Sequence, residues 1–329
     1  MADAVALILA AGKGTRMKSD LPKVLHEVSG RPMAAYVVDA VRAAGCRRVL
    51  MVVGYRKDLV METFEGTDVE WIDQDEQLGT GHAVMVAGKA LRGYDGEVVV
   101  VAGDSVMLRP ETIRRAIDEH RAAGAAATII ASRQEDPYGY GRIVRGPDGS
   151  VLKIVEERDA AEAERAVKDT NTSNYVFDCR KLFAALDRVR PENDQNEYYL
   201  TDVIAIMAAD GDRVGMVTTA DPDEGLGPNS RQGCAEATRK IQARHMARLM
   251  DEGVTIVRPE LTSVDASAEI GPDTVIMPFT VIEGPAKIGA GCRIGPFAHV
   301  LRGAEIADGA EVPAFTEAGA APKAKGAKR

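Results

Sequence analysis

Branched aliphatic residues occupy every sixth position from Val264 to Val312 without a miss: Val264, Ile270, Ile276, Ile282, Ile288, Ile294, Val300, Ile306 and Val312. Such a period cannot hold one face on a helix of about 3.6 residues per turn. It is the hexapeptide spacing of a parallel β-helix, in which each aliphatic points inward and stacks on the next coil. Small residues follow several of them, as in Ile270-Gly271, Ile288-Gly289, Ile294-Gly295 and Ile306-Ala307. With three hexapeptides to a coil, the run amounts to about three coils, near the minimum for a stable stack. Association with further copies of the chain is therefore expected to stabilise it.

The rest of the chain reads differently. Short apolar runs at 5–9, 48–53, 69–72, 97–102 and 127–131 alternate with helical patterns at 33–44, 82–91 and 110–123. Runs without polar alternation, interleaved with helices, imply a parallel sheet covered on both faces. Residues 138–157 read as a hairpin turning at Asp148-Gly149, 174–177 as a strand, and 162–168, 180–186 and 197–208 as helices. The expected organisation is an α/β domain over 1–229, a connector helix over 230–253, a β-helix over 254–316 and a disordered Ala/Lys/Gly-rich tail over 317–329.

Within the α/β part, the run Val5-Ala6-Leu7-Ile8-Leu9 breaks into Ala10-Ala11-Gly12-Lys13-Gly14-Thr15-Arg16-Met17, with Leu21-Pro22-Lys23 close behind. Glycines let backbone N–H groups approach a phosphate, and Lys13, Arg16, Lys18 and Lys23 add positive charge. The loop is read as the holder of a nucleotide triphosphate. A second strand ends at Gly103-Asp104, and ligands of such sheets sit beyond the carboxyl ends of the strands. Gly12 and Asp104 therefore belong to one rim. Met17 stands where a dinucleotide fingerprint needs its third glycine, and no G-x-x-x-x-G-K-[ST] occurs, so a dehydrogenase and a P-loop kinase are disfavoured.

Composition sets further bounds. A net charge of −9 over 329 residues argues against a broad nucleic-acid surface. The four cysteines, Cys46, Cys179, Cys234 and Cys292, form no paired motif and read as reduced thiols of a cytoplasmic protein. No apolar run has membrane-spanning length, and the opening apolar stretch reads as a first strand, not a signal peptide.

The ordered set L-A-A-G-K-G-T-R-M, L-P-K-V-L, Q-x-x-Q-L-G-T-G-H-A, G-D, G-Y-G-R-I, I-V-E and N-T, followed by hexapeptides, resembles the bacterial N-acetylglucosamine-1-phosphate uridylyltransferases over residues 4–312. The resemblance implies an α/β fold, a Rossmann-like nucleotidyltransferase domain with a mainly parallel sheet, and then a short left-handed parallel β-helix. It implies uridylyl transfer from UTP to N-acetylglucosamine 1-phosphate with Mg²⁺ as cofactor, and a homotrimer by analogy with other hexapeptide proteins. Carried over residue by residue, Arg16 and Lys23 are the catalytic cations. Leu9, Ala10, Ala11, Gly12 and Gly14 hold uridine and phosphates, while Gln74, Gly79 and Thr80 read uracil. Ala102, Gly103, Asp104, Gly141, Glu156, Asn171 and Asn229 serve the ribose, sugar or metal side, with Asp104 and Asn229 as metal ligands. Hard oxygen ligands of this kind suit Mg²⁺.

Plainer roles stand beside these. Gly12 and Gly14 fit an ordinary turn, Lys23 a solvated surface, Asp104 or Asn229 a helix cap, His82 a structural contact, and Tyr198-Tyr199 core packing. Ala102 stands where the family often carries tyrosine, and Ser173 where it usually carries glycine. Another sugar phosphate, such as glucose 1-phosphate with UTP or dTTP, therefore stays open, as does a non-catalytic nucleotide-sugar sensor. His299 is the one histidine of the repeat region, and acetyltransferase activity, which bifunctional family members add, is expected to be absent.

Overall fold

The computed structural model describes residues 4–319. The chain forms two compact units that divide between Cys234 and Ala235.

In the first unit the strands are β1 (Val5–Leu9), the small hairpin β2 (Glu27–Val28) and β3 (Arg31–Pro32), β4 (Arg48–Val53), β5 (Glu70–Asp73), β6 (Glu97–Ala102), β7 (Ala127–Arg133), β8 (Gly141–Arg145), β9 (Val151–Val155), β10 (Asp169–Asp178) and β11 (Val214–Thr218). The helices are α1 (Met33–Ala43), α2 (Lys57–Thr63), α3 (Thr80–Ala87), α4 (Pro110–Ala123), α5 (Glu162–Arg165), α6 (Cys179–Leu186) and α7 (Asp202–Ala209). Among the described residues the main sheet has nine strands, in the order β11-β7-β10-β6-β1-β4-β5, with β8 and β9 paired off this path.

The valine-rich strands are buried on both faces. Val98 and Val100 of β6 join Leu7, Leu50 and Phe177 in one core, packed under α3, α6 and α7. Val99 and Val101 join Ile8, Met51 and Val176 in the other, packed under α1 and α4. Period-two alternation between two apolar layers leaves no polar face, which is why the sequence shows none.

The sheet is not wholly parallel. β10 runs antiparallel to both β6 and β7. Parallel neighbours need a crossover of a dozen or more residues, usually helical. Between β7 and β10 the chain instead makes the β8–β9 hairpin and the four-residue α5. The helix expected over 162–168 accordingly stops at Arg165, and Asp169 already belongs to β10. Residues 197–201 are also not helical, because Tyr198 N–H donates to Leu78 O (2.8 Å) and Gly81 N–H to Tyr198 O (2.7 Å).

Helix α8 (Arg231–Asp251) occupies the expected connector segment. In the second unit every aliphatic of the hexapeptide run closes a two-residue strand. Ile276 pairs in parallel with Ile294, and Ile294 with Val312, so each coil takes 18 residues. Val264, Ile282 and Val300 form a second rank, and Ile270, Ile288 and Ile306 a third. Outside the coil, Phe279, Phe297 and Phe315 stack with ring centroids 4.7 and 5.1 Å apart. Part of the expected disordered tail is a strand, since Glu317–Ala318 pairs with His299–Val300. The remainder, from residue 320, lies outside the described residues.

Candidate functional site

The carboxyl ends of β1 and β6 open onto a cavity of about 780 Å³. Leu9, Ala10, Ala11 and Gly12 form one wall, with Arg16 and Lys23 beside them; Gln74, Gly79 and Thr80 form another. Ala102, Asp104, Gly141, Glu156, Asn171 and Asn229 complete it. Two nominated residues, Gly14 and Gly103, stand behind this wall. Gly14 has φ 68°, and a Cβ there would lie 2.5 Å from Lys23 Cβ, so its bareness lets the Lys23 segment pack close. Gly103 N–H donates to Leu9 O at 2.9 Å, which fastens the end of β6 to β1.

Four polar side chains meet at one end of the cavity. Lys23 Nζ donates to Asp104 Oδ2 and, at 2.6 Å, to Asn229 Oδ1. Arg16 Nη2 donates to the same Asn229 oxygen at 2.8 Å. Asn229 Nδ2 donates to Gly227 O at 3.0 Å, which turns the amide oxygen toward the cations. Asn229 is not the cap of α8: Ser230 Oγ accepts from Gly233 N–H at 3.1 Å. The Asp104 carboxylate likewise faces Lys23 instead of capping a helix. A carboxylate and an amide oxygen converging on one positive charge form a hard-oxygen pair that fits Mg²⁺, which takes few protein ligands and completes its shell with phosphate and water.

At the opposite wall, Gln74 is almost fully buried. Its Nε2 donates to Gly79 O at 3.3 Å and lies 3.0 Å from His82 Nδ1, so that ring nitrogen is the acceptor. His82 thus orients the glutamine, which is a structural contact with a bearing on the site. Thr80 Oγ1 accepts from Leu200 N–H at 3.1 Å, fixing the start of α3 against the 197–201 segment.

The third region lies around Glu156, Asn171 and Tyr175. Thr201 Oγ1 donates to Glu156 Oε1 at 3.3 Å. Burial pushes the Glu156 carboxyl above its ordinary value, the Thr201 bond opposes this, and the Asp159 and Asp202 carboxylates add to it. Burial, and then the Asp159 charge, pushes Asp202 up as well. Asn171 Nδ2 donates to Tyr175 Oη at 2.7 Å, and Asn171 Oδ1 accepts from Ser173 N–H at 3.1 Å. Ser173 has φ 60°, the left-handed conformation in which glycine is unstrained; the Asn171 bond helps hold serine there. Sequence reasoning missed several lining residues: Tyr138, Tyr175, Gln195, Glu197, Tyr199 and Thr201. Tyr199, assigned to the core, is 8% exposed and edges the cavity, its hydroxyl accepting from Gln195 Nε2 at 2.7 Å.

Fold and site together define a nucleotidyltransferase-type α/β domain, followed in the chain by a hexapeptide β-helix. Residues 6–198 match the MobA-like NTP transferase domain, and the chain belongs to that family. Residues 267–302 match the bacterial transferase hexapeptide (six repeats). The chain is 47% identical over 285 residues to the bifunctional protein GlmU of Geobacter metallireducens, covering 86% of this chain and 60% of that protein. It is 48% identical over 279 residues to the bifunctional protein GlmU of Geobacillus thermodenitrificans, covering 85% and 61%. The chain thus spans about three fifths of the length of these relatives. Because they are named bifunctional, the expected absence of acetyltransferase activity finds no support in them. A crystal structure of UDP-glucose pyrophosphorylase complexed with UDP-glucose shares the fold, with a TM-score of 0.61 at 20% identity, covering 74% of this chain and all of that one. Among the described residues no helix is long and apolar enough to cross a membrane.

Proposed function

We propose that the cavity transfers uridylyl from UTP to N-acetylglucosamine 1-phosphate, giving UDP-N-acetylglucosamine and pyrophosphate. The observation that carries this reading is the meeting of Lys23, Arg16, Asp104 and Asn229 in the cavity that also contains Gln74. An oxygen of the sugar phosphate attacks the α-phosphorus of UTP in line, the bond to the bridging oxygen of the β-phosphate breaks, and pyrophosphate leaves. Little covalent work falls to the protein, so positioning and charge neutralisation dominate. Arg16 and Lys23 carry the charge of the leaving pyrophosphate. The residues that would hold Mg²⁺ are Asp104 and Asn229, and the ion when bound supplies further neutralisation at the phosphate oxygens. The Gln74 amide, held by His82 and Gly79, offers donor and acceptor to the uracil edge. Glu156, Gly141 and Asn171 face the sugar. The proposal includes a homotrimer assembled through the β-helix and a cytoplasmic setting, in keeping with four buried free thiols.

A second reading, transfer to another sugar 1-phosphate, is favoured by one observation: the small Ala102 lines the cavity where the family often carries tyrosine. Pyrophosphate release, measured over a panel of sugar phosphates and nucleotides with and without Mg²⁺, tests both. Release with UTP and N-acetylglucosamine 1-phosphate is expected. Release only with glucose 1-phosphate overturns the sugar assignment, and no release with any pair overturns the transferase reading in favour of a sensor.

A further inference from the structure

Asn174 is absent from every role considered so far, yet its side chain is fully buried and fully bonded. Its Oδ1 accepts twice, from Ala102 N–H at 3.1 Å and from Ser105 Oγ at 3.0 Å. Its Nδ2 donates twice, to Thr172 O at 3.0 Å and to Thr172 Oγ1 at 3.1 Å. Thr172 is itself anchored, its hydroxyl donating to Ile130 O of β7 at 2.6 Å. A flipped amide would set Nδ2 against the Ala102 N–H, so this pattern admits one orientation.

The two donors that Asn174 gathers bracket Gly103-Asp104. Ser105 N–H donates to Ala102 O at 3.0 Å, closing the turn through its backbone, while the Asn174 oxygen ties both of its ends from β10. The register explains why a side chain takes this part. Gly103 N–H points to β1, so Ala102 N–H points to β10, where the ladder with β6 begins only at Tyr175↔Val100. The β10–β7 pairing shifts between Asn171 and Asn174, so the backbone of β10 draws off there. The Asn174 carboxamide oxygen stands in for the missing ladder carbonyl. An amide this deep is costly to leave unbonded, so its fourfold satisfaction makes it a rigid strut.

We propose that Asn174 is a positioning residue for Asp104: by clamping Ala102 and Ser105 it fixes where the Asp104 carboxylate meets a bound cation. The inference rests on the reading of Asp104 as a metal ligand. Partners that orient a metal ligand are typically worth about 10–100-fold in affinity.

The test is titration of Mn²⁺ alone into the full chain, with free Mn²⁺ read by electron paramagnetic resonance, for wild type, Asp104→Asn, Asn174→Leu and Ser105→Ala. Asn174→Leu keeps the volume and removes the clamp; Ser105→Ala removes one of its two donors, leaves the core filled, and decides the matter if the leucine variant does not fold. Expected are weaker Mn²⁺ binding by about 10–100-fold in Asn174→Leu and a smaller loss in Ser105→Ala. In turnover, the concentration of cation needed should rise while KM for the sugar phosphate stays within about twofold, a split that general loosening of the core would not produce. Weakened binding in Asp104→Asn with wild-type binding in the other variants overturns the inference. Wild-type binding in Asp104→Asn overturns the metal reading on which it rests.

Discussion

Lys23 Nζ donates to the side-chain oxygen of Asn229 at 2.6 Å, across 206 positions of sequence, and to the Asp104 carboxylate as well. One ammonium thus sits between the two oxygens assigned to a divalent cation. Two positive charges cannot share that gap, so cation binding requires Lys23 to move, and the leaving pyrophosphate is the anion it would meet. Replacing Lys23 with methionine is therefore expected to act in opposite directions. Turnover should fall by about 10²–10³-fold, while Mn²⁺ binding to the nucleotide-free protein tightens. Arg16→Ala should cost turnover on the same scale, about 10²–10³-fold, without tightening Mn²⁺ to the same degree, because Arg16 reaches only Asn229. Near-normal turnover in either folded variant would remove these residues from the mechanism.

Glu156 gives a pH signature. Burial is the main cause of its raised carboxyl value, so the folded chain holds that proton more tightly than the unfolded chain does. From the unfolded value of about 4.3 up to the raised value, the native state binds more protons. Through that window stability falls as pH rises. Glu156→Gln removes the buried charge and should raise the melting temperature at pH 7–8. The advantage should shrink toward zero below about pH 4, where the carboxyl is protonated in both states. Melts across pH 4–8 check this; an offset equal at all pH values would exclude the buried charge as its origin.

The cationic end of the cavity was legible because its residues are local: Gly12, Gly14, Arg16 and Lys23 lie within one short stretch. The region around Glu156 was only partly so. Glu156, the Asn171–Tyr175 pair of β10 and Thr201 come from three separate segments, and their meeting depends on the antiparallel course of β10 and its bulge. The bounds of α4 were readable at both ends, from Pro110 at its first turn and from Gly124 with φ 56°. Helix α2 went unnoticed because Val60 is its sole deeply buried side chain, which leaves no periodicity to detect. The 197–201 stretch looked helical from its apolar spacing, but its backbone is claimed by residues 78–81, a tertiary pairing with no local mark.

The two loop glycines separate conformation from access. A Cβ at Gly14 would meet Lys23 Cβ at 2.5 Å, in a backbone with φ 68°. A Cβ at Gly12 would meet nothing within 4 Å, and Gly12 lines the cavity. Gly14→Ala should therefore cost about 1–2 kcal/mol from left-handed backbone strain alone, together with turnover, since Lys23 must shift. Gly12→Ala should keep wild-type stability and weaken UTP binding by intruding on the cavity. Thermal melts and UTP titration distinguish the pair; equal destabilisation by both would contradict the geometry.

The repeat region allows a graded test of inward packing. Ile294 is fully buried and lies in register between Ile276 and Val312, whereas Ile270, at the edge of its rank, is only partly buried. Removing a buried isoleucine side chain down to alanine costs about 2–5 kcal/mol, because the lost transfer energy is joined by a cavity that rigid neighbours cannot close. The coil stack should be especially unable to close it, since each strand is only two residues long and its register is fixed by the coils on either side. Ile294→Ala should therefore destabilise the 254–318 stack by an amount in that range, and Ile270→Ala by less. The single tryptophan, Trp71, belongs to the first unit and cannot report on this. Hydrogen exchange at the backbone amides of 275, 277, 293 and 295, each bonded to the following coil, is the suitable readout. Faster exchange at these strands in Ile294→Ala, with the amides of β1, β4 and β6 unchanged, is the expected result; equal effects from both substitutions would mean that the inward ranks do not carry the stack.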